Sequence, residues 1–130
     1  MGELGNLANK PYQVGDPNDH IVIKDYISGY DGGRTLDTEG YSLPYIKAGH
    51  VVIKNAEGNF KPMPISGETY AALPEGFEYA GVVVGTVPTK RPFVGVLTRG
   101  TVNHKAAPFT MDAIIEDVKK ACPHIEFRAD

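Results

Sequence analysis

The sequence predicts a mainly β domain with one C-terminal helix and an extended N-terminal arm. The chain has 130 residues, and its 15 Gly and 10 Pro are dispersed without a repeat, as in folds of many short elements joined by turns. Short apolar or alternating runs recur between them, which is typical of strands. Only one C-terminal segment has the apolar period of a helix. We therefore expect a compact β-sandwich or barrel over residues 21–130, preceded by an arm over residues 1–20.

The composition limits the classes of function. Hydrophobic residues make up 42% of the chain and charged residues 22%, as in globular proteins. The net charge of −3 argues against a nucleic-acid partner, since nucleic-acid binders usually carry a basic excess. The single cysteine, Cys122, excludes an intramolecular disulfide. No apolar run approaches the roughly 18 residues that span a bilayer, and residues 1–10 do not resemble a signal peptide. We expect no membrane partner and synthesis in a cytoplasm.

The arm shows no helical or β period. Its punctuation by Gly and Pro favours an extended conformation. It carries isolated apolar residues that could anchor it to a partner or to its own domain. These four candidate anchors are Leu4, Leu7, Tyr12 and Val14.

The first half of the domain contains one clear hairpin. Residues 21–27 read as a strand, and residues 28–43 as a long loop rich in Gly and acidic residues. Residues 50–54 and 59–65 read as two strands joined by a four-residue turn that contains Gly58. Pro62 and Pro64 cannot donate to a ladder, so the second strand should lie at a sheet edge.

The second half contains longer apolar strands. Residues 68–73 suggest one helical turn, and residues 77–87 a strand in which Gly81 marks a bulge or a close backbone approach. Residues 93–99 read as another strand. These runs are apolar at odd and even positions, so both sheet faces should be covered. Gly100 suggests a break, after which the polar residues that follow turn a corner before the helix.

The helix prediction depends on an apolar stripe at helical spacing. Thr110 can cap its start, and Cys122-Pro123 should end it. Residues 124–127 alternate as a short last strand. The stripe consists of Met111, Ile114, Ile115 and Val118.

The chemistry-bearing residues form no recognisable constellation. None of the four histidines, His20, His50, His104 and His124, has a partner at helical metal-site spacing, so we interpret them as surface or edge residues. Cys122 lies at a helix C-terminus, which disfavours a thiolate, and is interpreted as a packing residue. The acidic residues of the helix are interpreted as a solvated face. We expect no metal, no cofactor and no catalytic residue.

Two alternatives to a purely structural role remain: a loop that binds a carbohydrate or a host surface, and a small enzyme. Residues 29–35 are Gly-rich but lack the Gly-Lys-Ser/Thr of a phosphate loop, so we interpret them as a flexible loop. The longer loop 28–43 could bind a carbohydrate or a host surface, with Tyr30, Arg34 and Tyr41 as its contact residues. A small β-barrel enzyme could use His104 with Asp or Glu partners, but His104 and Lys105 have no third partner that is visible in the sequence.

The order of motifs over residues 44–130 resembles the capsid decoration and head fibre proteins of tailed bacteriophages and, more loosely, the lambda-type head decoration proteins. The shared order is an aliphatic strand, Ala-Gly, a second strand, an acid-Gly turn, then an apolar strand, Arg-Gly, Thr-Val-Asn, Ala-Pro and one helix. In this sequence the motifs are 45–52 (YIKAGHVV), 55–62 (NAEGNFKP), 81–84 (GVVV), 93–103 (FVGVLTRGTVN), Ala107-Pro108, Pro123 and 125–127 (IEF).

The resemblance implies a non-enzymatic virion structural protein. It implies a β-rich homotrimer seated on the outer capsid surface at three-fold or quasi-three-fold positions, with the major capsid protein and itself as partners and without a cofactor. The protein would be made in the host bacterial cytoplasm. The long fibrous shaft of some head fibre proteins has no counterpart here, because the chain has no heptads and no collagen period. The arm would then contact the capsid.

Overall fold

A computed structural model describes residues 19–129, apart from the side chain of His20. The candidate anchors Leu4, Leu7, Tyr12 and Val14 lie outside the described residues. The described chain is mainly β with one longer helix near its C-terminus, which confirms the predicted fold class. The elements are α1 (Asp19–Val22), β1 (Ile23–Gly29), β2 (Arg34–Thr35), β3 (Tyr45–Ile46), β4 (Val51–Asn55), β5 (Phe60–Pro62), β6 (Ile65–Ser66), β7 (Thr69–Tyr70), β8 (Phe77–Val83), β9 (Val87–Pro88), β10 (Phe93–Val94), β11 (Val96–Asn103), α2 (Ile115–Ala121) and β12 (Ile125–Arg128).

A six-stranded sheet forms the centre of the domain. Its path is β1-β11-β8-β4-β5, and β12 pairs with β11 in parallel, whereas the other pairings are antiparallel. The predicted hairpin is confirmed as β4–β5, and β5 lies at the end of the sheet path, as Pro62 predicts. Three two-stranded pieces, β2–β10, β3–β9 and β6–β7, lie outside this sheet.

Both faces of the central sheet are covered, as the apolar runs predict. Neighbouring residues of one strand enter different cores: Val82 packs in a cluster with Val118 of α2, and Val83 in a cluster with Val87 of β9. Alternation of side chains along a strand produces this division. The first core is closed by α2, β12 and the β6–β7 pair, and the second by β3, β9 and β10.

The strand predicted over residues 21–27 and the helical turn predicted over residues 68–73 both differ from the structure. The strand predicted over residues 21–27 begins only at Ile23, because residues 19–22 form the helical turn α1. Residues 68–73 are not helical: β6 and β7 pair around Gly67, which has a φ of 66°. Tyr70 is held there because its hydroxyl accepts the backbone N–H of Val51 at 3.0 Å.

The helix is shorter than predicted. It begins at Ile115, and Ile114 provides no side-chain cap. Thr110 instead closes a turn, since its hydroxyl accepts the N–H of Asp112 at 3.3 Å, a local bond that competes with helix formation. The predicted end is confirmed: the last helical residue precedes Cys122.

Gly100 does not end a strand, contrary to the prediction. It lies inside β11 with a φ of 152°. A Cβ at this position would lie 2.2 Å from the carbonyl oxygen of Asp25 in β1. Gly81 makes the predicted close approach, because its Cβ would lie 2.2 Å from the carbonyl oxygen of Leu97. Glycine therefore permits the tight packing of β1 and β8 on β11.

Candidate functional site

His104 and Lys105 lie in the corner that follows β11. The side chain of Asn103 shapes this corner by accepting the N–H of Lys105 at 3.0 Å and that of Ala106 at 3.3 Å. Partial burial, followed by the charge of Lys105, lowers the pKa of His104. The Lys105 ammonium lies 3.8 Å from the carboxylate of Asp112 in an exposed ion pair. These contacts give the segment a structural role as a turn.

The remaining side chains that could act as nucleophiles or metal ligands do not form a reactive site in the described residues. Cys122 is buried, as predicted, and burial raises the pKa of its thiol to about 11, which disfavours the nucleophilic thiolate. Between residues 19 and 129, no group of three His, Cys, Asp or Glu side chains could hold a metal ion. In the same range, no helix is long and apolar enough to cross a membrane.

His50 is buried, which corrects its interpretation as a surface or edge residue. Its Nε2 lies 2.9 Å from the carbonyl oxygen of Met63 and acts as the donor. Its ring makes edge contacts with Tyr41, Tyr70 and Phe109, at centroid distances of 5.6, 5.3 and 5.5 Å. Burial lowers the pKa of His50 to about 4, so the ring is neutral near pH 7. The His50 cluster comprises these four rings.

The three predicted contact residues of loop 28–43 do not form one site. Arg34 stacks over Tyr30 and Phe60, with its Cζ 5.0 and 5.5 Å from the ring centroids. Its guanidinium also donates to the carbonyl oxygens of Asp31 and Gly33. Tyr41 contacts His50 instead, and its hydroxyl donates to the carbonyl oxygen of Tyr45 at 2.9 Å. Tyr30 and Arg34 therefore belong to one cluster, and Tyr41 lines a separate groove.

The groove beside Tyr41 has a volume of about 280 Å³. Its walls are mostly apolar or aromatic, and Asp19 and Lys47 add one acidic and one basic side chain. Burial raises the pKa of Tyr41 to about 12, so its hydroxyl stays protonated near neutral pH. The lining residues are Asp19, Tyr41, Leu43, Pro44, Tyr45, Lys47, Ala48, Thr86, Pro108 and Phe109.

A partly buried series of hydrogen bonds fixes the acidic wall of the groove. One carboxylate oxygen of Asp19 accepts the N–H of Thr86 at 3.0 Å, and the other accepts its hydroxyl at 2.7 Å. The same hydroxyl oxygen accepts the N–H of Ala48 at 3.1 Å. Asp19 is thereby bound to the domain, although its sequence position suggested that it belonged to the arm. The sequence did not identify this wall, because 67 positions separate Asp19 from Thr86.

A second exposed surface lies on α1 and β1. Ile21, Tyr26 and Ile27 are 53%, 50% and 59% exposed, and we call them the β1 patch. β1 lies at one end of the sheet path, and its pairing with β11 shifts register beside Lys24 and beside Ile27. Such bulges protect an edge from strand pairing and can redirect side chains. The patch therefore presents side chains to a partner more readily than backbone groups.

The comparisons with known proteins returned no match: none was found among protein-family models, among curated proteins or among solved structures.

Proposed function

We propose that this chain is a non-enzymatic virion structural protein that decorates and stabilises the outer surface of a phage capsid as a homotrimer. Its partners would be the major capsid protein and two further copies of itself. The resemblance over residues 44–130 supports the proposal from the sequence.

The β1 patch is the structural observation that carries the proposal. Three large apolar side chains within seven consecutive residues remain about half exposed, and exposed apolar surface of this kind is available to a protein partner. The patch begins at Ile21, directly after the sequence segment expected to contact the capsid. Arm and patch together would form one capsid-facing surface. The patch would supply rigid apolar contacts, and the arm would contact capsid residues farther from the domain.

The mechanism would be mechanical bridging. Each trimer would bind neighbouring capsid subunits and oppose their separation by packaged DNA. Three linked copies bind together, so contacts that are weak singly become strong through avidity. Ordering of an arm on binding costs conformational entropy, which its apolar anchors and the preformed patch would offset.

Capsid cosedimentation tests this function. The protein would be mixed with undecorated capsids assembled from the major capsid protein of the same genome, and the bound copies would be counted after centrifugation. We expect the full chain to bind, whereas a chain lacking residues 1–18 and the Tyr26→Ser/Ile27→Ser variant should each lose at least about tenfold in affinity, or about 1.4 kcal/mol. Leu43→Ser is the matched control, because Leu43 is also exposed but lies outside the patch.

Full-strength capsid binding by the truncated chain would contradict the role of the arm, and failure of the intact chain to bind would contradict the function. Light scattering after size exclusion would give the assembly state. A mass near three times 14.1 kDa is expected for the trimer.

A further inference from the structure

The groove beside Tyr41 has the size and lining of a site for one small ring. Its volume of about 280 Å³ lies near the lower end of the range for small-molecule pockets. Aromatic surface comes from Tyr41, Tyr45 and Phe109, and apolar surface from Pro44 and Pro108. Such a lining, with a few fixed polar groups, is typical of ligand sites.

The walls of the groove are held in place before any ligand arrives. The carboxylate of Asp19 is fixed by its two bonds from Thr86. Tyr41 and Phe109 both rest against the ring of His50, behind the groove. The hydroxyl of Tyr41 is further bonded to the carbonyl oxygen of Tyr45. A preorganised site loses little conformational entropy on binding.

The polar groups limit the chemistry of the ligand. A carboxylate accepts hydrogen bonds at several lone pairs, so Asp19 can accept from a ligand hydroxyl beside its bonds from Thr86. Lys47 is a donor on the same groove. An anionic ligand would be repelled by the carboxylate of Asp19, and a wholly apolar ligand would desolvate Asp19 and Lys47 without offering either of them a hydrogen bond. A neutral ring with several hydroxyls can donate a hydrogen bond to Asp19 and accept one from Lys47.

We propose that this groove binds one neutral hexose ring of a glycan, with an apolar sugar face against the aromatic side chains and sugar hydroxyls on Asp19 and Lys47. Of the three loop residues expected to contact a carbohydrate, only Tyr41 belongs to this site. The site is independent of capsid binding. One ring in a shallow groove binds weakly, in the millimolar range. If the protein is the proposed trimer, three such sites would bind a multivalent glycan surface more tightly.

An NMR titration of the full chain tests the site. The probes are the methyl glycosides of glucose, galactose, mannose and N-acetylglucosamine. With at least one of them we expect saturable shifts of the amides of Tyr41, Tyr45, Ala48, Thr86 and Phe109, with no comparable shifts along β1. Absence of shifts for all four sugars at concentrations well above the millimolar range would overturn the proposal. Shifts that appear only with sialic acid or a sulfated sugar would also overturn it.

Two tyrosine variants separate this site from the capsid-binding surface. Tyr45 and Tyr26 are 43% and 50% exposed, so either can be replaced by alanine with little loss of core packing. Tyr45→Ala should weaken sugar binding by about fivefold to tenfold, while Tyr26→Ala should change it less than about twofold. Undiminished sugar binding by Tyr45→Ala would contradict the assigned groove. Cosedimentation with capsids should show the reverse ranking, so failure of one proposal is distinguishable from failure of the other.

Discussion

The two ends of the central sheet differ in how their edges are protected. At the β5 end, Phe60 and Pro62 are buried, and the loop residue Asp37 donates its N–H to the carbonyl oxygen of Phe60 at 2.8 Å. His50, the centre of the His50 cluster, is bonded to Met63, the residue directly after β5. At the β1 end, most side chains are exposed, and protection comes from bulges and from the charges of Lys24 and Asp25. A covered edge contributes to the core, whereas an uncovered edge stays available to a partner.

Substitutions at the two ends of the sheet should differ in their effects on folding and on binding. Changes at the β5 end should alter the free energy of unfolding, because they remove buried contacts. Changes in the exposed side chains of the β1 end should alter binding and leave folding nearly intact. Substitutions where the backbone of β1 contacts β11 are the exception. They should cause the largest loss in the free energy of unfolding.

Gly100→Ala should destabilise the domain by about 3 kcal/mol or more. The added Cβ would lie 2.2 Å from the carbonyl oxygen of Asp25, at a backbone φ of 152°. Urea unfolding measures the loss, and hydrogen exchange should show faster opening of the amides of β1. Gly58→Ala is the control, because Gly58 has a φ of 87° but no atom within 4 Å of its Cβ position. Equal losses in both variants would show that the approach of β1 to β11 is not tight.

Acidification should lower the free energy of unfolding, because His50, which is bonded to the residue after β5, is neutral in the folded domain. Burial lowers the pKa of His50 from 6.5 to about 4, so between these values the unfolded chain binds a proton that the folded chain does not. The stabilisation is complete above pH 6.5 and is lost as the pH falls to about 4, by up to about 3 kcal/mol.

Urea unfolding at a series of pH values measures this dependence. His50→Gln removes the titrating group and keeps a donor for the carbonyl oxygen of Met63, so its stability should depend less on pH in this range. The control is His104→Gln, since His104 is only partly buried and should contribute little. An unchanged slope in His50→Gln would contradict the assignment.

The smallest effect on stability is expected for the β1 patch. Tyr26→Ser/Ile27→Ser should change the free energy of unfolding by less than about 1 kcal/mol, because both side chains are largely exposed. Phe60→Ala, at the covered edge, should cost about 3 kcal/mol. Similar losses for the two variants, measured by urea unfolding, would show that the β1 patch is part of the core and not a binding surface.

The sequence predicted the elements that depend on local patterns. The β4–β5 hairpin follows from two apolar runs and a Gly-containing turn, and the end of α2 from Pro123. The burial of His50 could not be found in this way, because Met63, Tyr70 and Phe109 reach it from separate segments. Its position immediately before the apolar run 51–53 was the one available signal. The groove was missed for the same reason, since its two charged side chains belong to segments far apart in the chain.

The pairings of β11 have a consequence for the time at which the protein can fold during synthesis. β11 pairs with β1, which lies about 70 residues earlier, and with β12, which follows it after the helix. Contacts between such distant segments slow folding. While the chain is still on the ribosome, β1 has no strand to pair with until β11 has emerged. Native assembly of this sheet is therefore expected late in translation, after nearly the whole domain has been made.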